Sequence, residues 1–365
     1  MRYCFFTTGD WEANASLVRL REFGSEMIAR GIDVSYVVDD FPYNRAKLDV
    51  NPKAQVAYVP EPMSRGQFKR RRAALRDLRP DFVHVLNPYV KAVATLLGTK
   101  WPLVIDWDEW PARRARPKLR GVVDWWLGRW MRRRAVRVIV ASRYLQDQLR
   151  QRFGVESVYV PYAAYLEPRE DGTSPFNEPT VVYMGNLFSA YDHDIIFEAA
   201  RLLKQRGMTP PIRFMGHGPD EASWRAFVRD NGLENVAMPG FVRGEELWRS
   251  LRHAHVLLFP IRPTMVNLCR CPSKTFAYAQ ARRPVITNRV GEIEAVLKDR
   301  AEYIDCTPQA FADAIERAMR RRTLDDVDYG VEQHNWSSRT DDLLEALGIQ
   351  RGLAVPAEPH LQKIT

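Results

Sequence analysis

The sequence predicts an α/β protein built from two doubly wound parallel sheets, and three observations carry that expectation. Short apolar runs rich in Val, Ile and Phe recur along the chain, each followed by a segment of helical spacing. Glycines stand where such runs end, as at Gly9, Gly185 and Gly216. The rhythm breaks once, across residues 164–179, where a polar, proline-containing stretch separates two halves of similar size. Strands alternating with helices favour a parallel sheet covered on both faces. A chain of 365 residues is long for one domain, so two is the natural expectation.

The elements follow in order. Arg2–Thr7 reads as the first strand, and a helix from about Ala13 to Arg30 is closed by Gly31 as its C′ residue. Val34–Val38 and Val56–Val59 are strands. Phe68–Leu78 is a basic helix stopped by Arg79-Pro80, because the residue before a proline is driven out of helical backbone. Asp81–Leu86, Leu103–Asp106 and Val136–Ala141 read as buried parallel strands. After the break come strands at Val181–Met184, Ile212–Met215, Val256–Phe259 and Val285–Thr287. Helices are expected over Ile195–Arg206, Asp220–Asn231 and Ala310–Arg321. This gives a first domain over 1–163, a linker over 164–179 and a second domain over 180–335. An amphipathic helix within 336–350 is expected to cross back to the first domain, and 351–365 carries no pattern.

Composition narrows the function. An apolar fraction of 45% with 27% charged residues is that of a soluble globular protein. The formal net charge of +9 favours phosphates or anionic lipids as partners, or else reflects arginines spread over solvated faces. A nucleic-acid reading lacks a recognition-helix or aromatic–basic sheet motif. Cys4, Cys269, Cys271 and Cys306 show no paired spacing, so reduced thiols in a cytoplasmic setting are expected. The Cys269/Cys271 pair has no further ligands nearby, so no metal site is expected. The N-terminal apolar run is too short for a signal peptide, and no stretch approaches the ~18 apolar residues of a membrane span.

In open α/β sheets ligands bind outside the carboxyl ends of the strands. In the second half those ends carry Gly185-Asn186, Gly216-His217-Gly218-Pro219, Pro260 and Gly291-Glu292. Most informative is Cys271-Pro272-Ser273-Lys274-Thr275, where a proline opens a helix with a lysine in its first turn. Helix N–H groups and one cation at one spot suit the diphosphate of a nucleotide-linked substrate.

Met215-Gly216-His217-Gly218-Pro219, then Asn235-Val236, Pro239-Gly240-Phe241 and Pro272-Ser273-Lys274, in this order and spacing, resemble the donor domain of glycosyltransferase family 4. The likeness is good over about 180–300. It extends more loosely to the first domain through Arg79-Pro80-Asp81-Phe82-Val83-His84 and Asp108-Glu109-Trp110-Pro111, and is nearest to members that build bacterial surface polysaccharides.

The resemblance implies a GT-B fold, two Rossmann-like domains facing across a cleft. It also implies a UDP- or GDP-linked sugar as donor, transfer with retention to a saccharide or lipid-linked acceptor, and no cofactor or divalent metal. By position, Lys274 would neutralise the donor diphosphate. Gly185, Asn186, Gly216, His217, Gly218, Pro260, Ser273, Thr275 and Gly291 would line the nucleotide site, with Glu292 near the donor sugar. The sequence departs from the family where Cys269 and Ala277 replace two glutamates, where Arg282-Arg283 replaces a glycine, and where Asn186 replaces an arginine whose partner lysine is absent near Tyr191-Asp192. These departures leave a catalytically weak or inactive binding protein as the alternative.

On the acceptor side, Gly9 and Asp10 follow the first strand, and Gly9 reads equally as a place of ligand approach and as a turn glycine. Asp106, Asp108 and Glu109 end another strand and are expected at the cleft mouth, with Asp108 the candidate to orient or deprotonate an acceptor hydroxyl. The rival reading pairs these acids with Arg113, Arg114 or Arg116. His84, within a strand, reads as a packing residue. Residues 117–134 combine Trp125, Trp126, Leu127, Trp130 and Met131 with five arginines. The stripe is expected partly to pack on its own sheet and partly to meet an anionic membrane at its inner face, beside a second basic helix over Lys69–Arg79.

Overall fold

The computed structural model describes residues 1–9, 16–48, 51–60, 66–109, 120–165, 172–188, 191–321 and 323–349, without the side chains of 120–125. The chain divides into two compact units. The first comprises Met1–Ala163, Leu268–Cys271 and the chain from Trp336 on; the second comprises Ala164–Asn267 and Pro272–Asn335. Of the expected linker, 166–171 lie outside the described residues, as does the tail over 351–365.

The first unit runs β1 (Arg2–Phe6), α1 (Ser16–Ala29), β2 (Asp33–Asp39), α2 (Pro42–Leu48), β3 (Gln55–Val59), α3 (Gly66–Leu78), β4 (Phe82–Leu86), α4 (Val90–Leu96), β5 (Leu103–Trp107), α5 (Arg120–Arg134), β6 (Ala135–Val140), α6 (Arg143–Phe153) and β7 (Val158–Tyr159). Its strands form one parallel sheet ordered β3-β2-β1-β4-β5-β6-β7. Right-handed crossovers then place α3, α4, α5 and α6 on the same face. Leu75, Leu96, Met131 and Leu149 from those four helices share a buried cluster with Phe6, Val85, Ile105 and Val140 of the strands. On α1, Phe23 meets Trp336 edge-on at 5.4 Å, and Arg30 donates to Ser337 and Asp341.

The second unit runs β8 (Val181–Met184), α7 (Asp194–Gln205), β9 (Ile212–Met215), α8 (Glu221–Asp230), β10 (Val236–Gly240), α9 (Gly244–Arg252), β11 (Val256–Phe259), α10 (Met265–Cys269, whose Leu268 and Cys269 count with the first unit), α11 (Ser273–Ala281), β12 (Val285–Thr287), α12 (Ile293–Leu297), β13 (Glu302–Tyr303) and α13 (Pro308–Met319). The final helix α14 (Trp336–Ala346) belongs to the first unit. Six parallel strands are ordered β10-β9-β8-β11-β12-β13. One face buries Phe197, Leu203, Phe311 and Ile315 of α7 and α13 against Val181, Phe214 and Leu258.

Two parallel α/β sheets are present, as the alternating pattern predicts. The differences are local. Residues 10–15, which include the start expected for the first helix at Ala13, lie outside the described residues. The helix expected over Asp220–Asn231 is α8, with Asp220 and Asn231 as its two cap residues. Arg79 takes a left-handed φ of 46° before Pro80 and so ends α3.

Candidate functional site

In the second unit the loops after β8, β9 and β10 are laced together by their backbones. Gly185 N–H donates to Met215 O, Leu187 N–H to His217 O, and Gly216 N–H to Gly240 O. A Cβ on Gly216 would lie 1.8 Å from Gly185 O, and one on Gly218 would lie 2.3 Å from Leu187 O. Both glycines are therefore required by loop-on-loop packing, whatever ligand approaches them. His217 turns outward, its side chain 72% exposed and bonded to Glu221.

Lys274 lies in the first turn of α11, and its Nζ rests over two aromatic rings at strand ends. The distances are 4.1 Å to the Tyr183 ring and 4.7 Å to that of Phe259. A cation held on π faces in this way is stabilised by about 0.5–2 kcal/mol. A Cβ on Gly185 would come within 2.5 Å of Nζ, so glycine there makes room for the ammonium. Ser273 is half-buried, whereas Thr275 is buried with no hydrogen-bond partner for its hydroxyl among the described residues. Pro260 is buried, Asn186 is half-buried, Gly291 is exposed with a left-handed φ of 57°, and Glu292 is buried at the N-cap of α12.

A cluster that the sequence did not single out joins the loops after β8 and β11. Arg262 donates from Nη1 to Asp192 at 2.8 Å and from Nη2 to Asp194 at 2.6 Å, while its N–H and Asn267 Nδ2 both donate to Asp192 Oδ2. Burial would raise Asp194, but Arg262 outweighs it and holds the carboxyl below the usual range. His193 packs edge-on to Trp224, 5.4 Å between centroids, and burial, reinforced by Lys274, lowers its pKa. The available signal was Arg262 itself, in a strand-end loop and carrying a charge.

The first unit's strand ends differ from the expectation. Asp106 is fully buried, not at a cleft mouth. Its Oδ2 accepts from Arg19 Nε at 2.7 Å and from His84 Nε2 at 3.1 Å, and Tyr3 OH completes the chain to His84 Nδ1 at 2.8 Å. Burial opposes ionisation of Asp106, yet Arg19 and His84 hold its pKa below the usual value. Asp106 is thus spent on an internal ion pair and is corrected as an acceptor-side residue. His84, read as a packing residue, is also a member of this network.

Asp108 is 4% exposed. It accepts from Tyr162 OH at 2.6 Å and Asn87 Nδ2 at 2.5 Å, and burial, then Asp106, raises its pKa. Asn87 takes a left-handed φ of 47° to make this contact. Gly9 uses its N–H on Asp39 Oδ2 at 2.8 Å, and Asp39 is itself clamped by buried Arg71 at 2.6 Å, so that N–H is not open to a ligand. Glu109 is half-buried with an interaction partner, while Asp10, Arg113, Arg114 and Arg116 lie outside the described residues.

Two of the departing positions, Cys269 and Arg282, have physical explanations, and nothing in the structure explains Ala277. Cys269 is buried in the first unit's core, its carbonyl accepts from Ser142 Oγ at 2.7 Å, and burial pushes its thiol up to about 12, so this place does not suit a carboxylate. Ala277 is half-buried on α11. Arg282 occupies the left-handed C-cap of α11, φ 57°, where glycine is the easy residue, and ion pairs to Asp326 and Asp328 hold it. Among the described residues no His, Cys, Asp or Glu group is arranged to hold a metal ion, and no helix is long and apolar enough to cross a membrane.

Two parallel-sheet α/β units, the second with a lysine-bearing helix at its strand ends, are the architecture of the GT-B fold. A family model described as "Glycosyl transferase 4-like domain" matches residues 16–163 and one described as "Glycosyl transferases group 1" matches 178–321. Together they cover most of the chain, which belongs to this glycosyltransferase family.

Among curated proteins the chain is similar to the alpha-D-kanosaminyltransferase of Streptomyces kanamyceticus. Identity is 22% over 215 residues, 53% of this chain and 54% of the relative, so the match spans about half of that relative's length. Among solved structures it is similar to Anabaena HepE in complex with UDP and glucose, TM-score 0.73, 14% identity, 94% of this chain and 99% of that one. It is also similar to the pneumococcal O-GlcNAc transferase GtfA in complex with UDP and GlcNAc, TM-score 0.71, 9% identity, 94% and 98% covered.

Proposed function

We propose that the protein is a retaining glycosyltransferase moving a sugar from a UDP- or GDP-linked donor to a hydroxyl of a saccharide or lipid-linked acceptor. We place this step in the assembly of a cell-surface glycan or glycoconjugate, at the cytoplasmic face of a membrane. The observation that carries the reading is Lys274, held over Tyr183 and Phe259 at the carboxyl ends of β8 and β11 beside Gly185. The similar HepE and GtfA structures, which hold UDP with a sugar, support a nucleotide-linked donor.

In the proposed reaction the bond from the anomeric carbon to the diphosphate oxygen breaks, and one from that carbon to the acceptor oxygen forms on the same face. Negative charge collects on the departing diphosphate. Lys274 neutralises it, the kind of fixed electrostatic aid that accounts for most such catalysis. Ser273, Asn186, Gly216, Gly218 and Gly291 contribute the surrounding loop surface, and Glu292 meets the donor sugar. Asp108, already accepting from Tyr162 and Asn87, orients the acceptor side through them. The departing phosphate then takes the acceptor's proton. No resident metal or cofactor enters this scheme.

The second reading, a binding protein without turnover, is favoured by Cys269 in an apolar core and Ala277 on α11. A hydrolysis screen of UDP- and GDP-sugars, with anomeric configuration followed by NMR, separates the two. Release of the α-configured sugar from an α-linked donor is expected, and Lys274→Ala should lower it about 10²–10³-fold. No release from any donor would support the binding protein instead.

A further inference from the structure

The first unit's helical face over α3, α4 and α5 carries an outward pattern unlike its inward one. Leu127, Trp130 and Met131, part of the stripe expected to meet a membrane, are buried in the sheet's own core. Arg71 and Arg72, expected among the membrane-facing cations, also turn inward. Arg71 pairs with Asp39, and Arg72 caps the end of α4 through the carbonyls of Thr95 and Leu97 at 2.6 and 2.8 Å.

What remains outside is selective. The exposed large apolar residues described in this unit are Val90 at 78% on α4, Leu97 at 40% just after it, and Trp126 at 42% on α5. Exposed cations stand on α3 and α5. Lys69 and Arg70 project from α3, and Arg129 and Arg133 follow Trp126 on α5 at helical spacings of three and seven. The acids in the sequence of these three helices are Asp77 on α3 and Asp124 on α5.

We propose that this face docks the protein on an anionic lipid bilayer. Trp126, Val90 and Leu97 enter the headgroup boundary, while the arginines and lysine meet lipid phosphates through their long stems. The proposal builds on the lipid-linked acceptor of the function above and names the surface that would bring the enzyme to it. Charge complementarity selects this occupant. Isolated apolar residues alongside cations suit a headgroup layer, where tryptophan is favoured, whereas a nucleic acid would be read by a groove-entering helix or a stacking platform.

The test is co-sedimentation of the full chain with phosphatidylglycerol/phosphatidylcholine vesicles and with phosphatidylcholine alone. Binding to the anionic vesicles, falling as salt rises, is expected. Arg129→Gln with Arg133→Gln should weaken it about thirtyfold, from ~1 kcal/mol per cation. Lys69→Gln with Arg70→Gln should do the same, Trp126→Ser should weaken it further, and the charge-matched control Arg229→Gln with Arg320→Gln should not. UDP titration of the same variants should be unchanged. Equal partition to neutral vesicles, face variants that match the control, or a duplex oligonucleotide that binds more tightly than the vesicles and shares the same residues would each overturn the proposal. Loss of UDP binding by the wild type would instead strike the donor reading and leave the vesicle result standing.

Discussion

The first unit holds its strand ends by fully buried ion pairs, and the second holds them by backbone contact, one lysine on aromatic rings and the more exposed Arg262 cluster. In the first, Asp106 with Arg19 and Asp39 with Arg71 are ion pairs at 0% side-chain exposure. In the second, three loops exchange backbone hydrogen bonds, glycine admits their close approach, and Lys274 rests on aromatic rings. Acids at a strand end look reactive in sequence, yet a buried carboxylate must be paired to stay ionised, and pairing withdraws it from chemistry. The two units therefore fail differently when altered.

The largest effect is expected in the first unit. Asp106→Asn leaves Arg19 charged and unpaired in the core, which should cost about 3–5 kcal/mol by chemical denaturation. Because the folded pKa of Asp106 is lowered, its stabilisation is complete above the ordinary aspartate value of about 3.9 and is lost as pH falls through the folded value. The gap between wild type and variant should therefore close at acid pH. A constant gap from pH 7 to pH 3 would mean that the pair does not carry the charge assigned to it.

Gly216→Ala tests the backbone side of the comparison. Its Cβ would meet Gly185 O, a backbone atom that can yield only by moving the loop, so a loss of about 3 kcal/mol is expected, at the upper end of overpacking costs. A neutral result would show that the loops after β8 and β9 are not held together as described. The smallest change is at Arg282. Arg282→Ala keeps the left-handed strain and loses the partly exposed ion pairs, costing about 1 kcal/mol, while Arg282→Gly relieves the strain and should fall close to wild type. Thermal melts of the two variants would order them, and the reverse order would contradict this.

What was legible follows from the range of the interactions. The strands Val181–Met184, Ile212–Met215, Val256–Phe259 and Val285–Thr287 coincide with short buried apolar runs, a local property. Short helices such as α4 (Val90–Leu96) and the edge strand β10, which contains Pro239 and Gly240, have no periodic pattern long enough to read. The role of Asp106 was hidden because Arg19 lies 87 residues away in sequence. Arg262 and Asp192 were hidden similarly, 70 residues apart. The stretch around Lys274 was readable because proline, helix start and lysine are neighbours in the chain. The rings of Tyr183 and Phe259 that hold it emerged only from the fold.

The central claim is that the helix bearing Lys274 holds the donor's diphosphate, and calorimetric titration of UDP and GDP into wild type and Lys274→Ala tests it most directly. Saturable binding of one nucleotide by the wild type is predicted, weakened about 10- to 100-fold in the variant, as expected for a charge-assisted contact. Equal affinity in both proteins, or no binding of either nucleotide by the wild type, would contradict it.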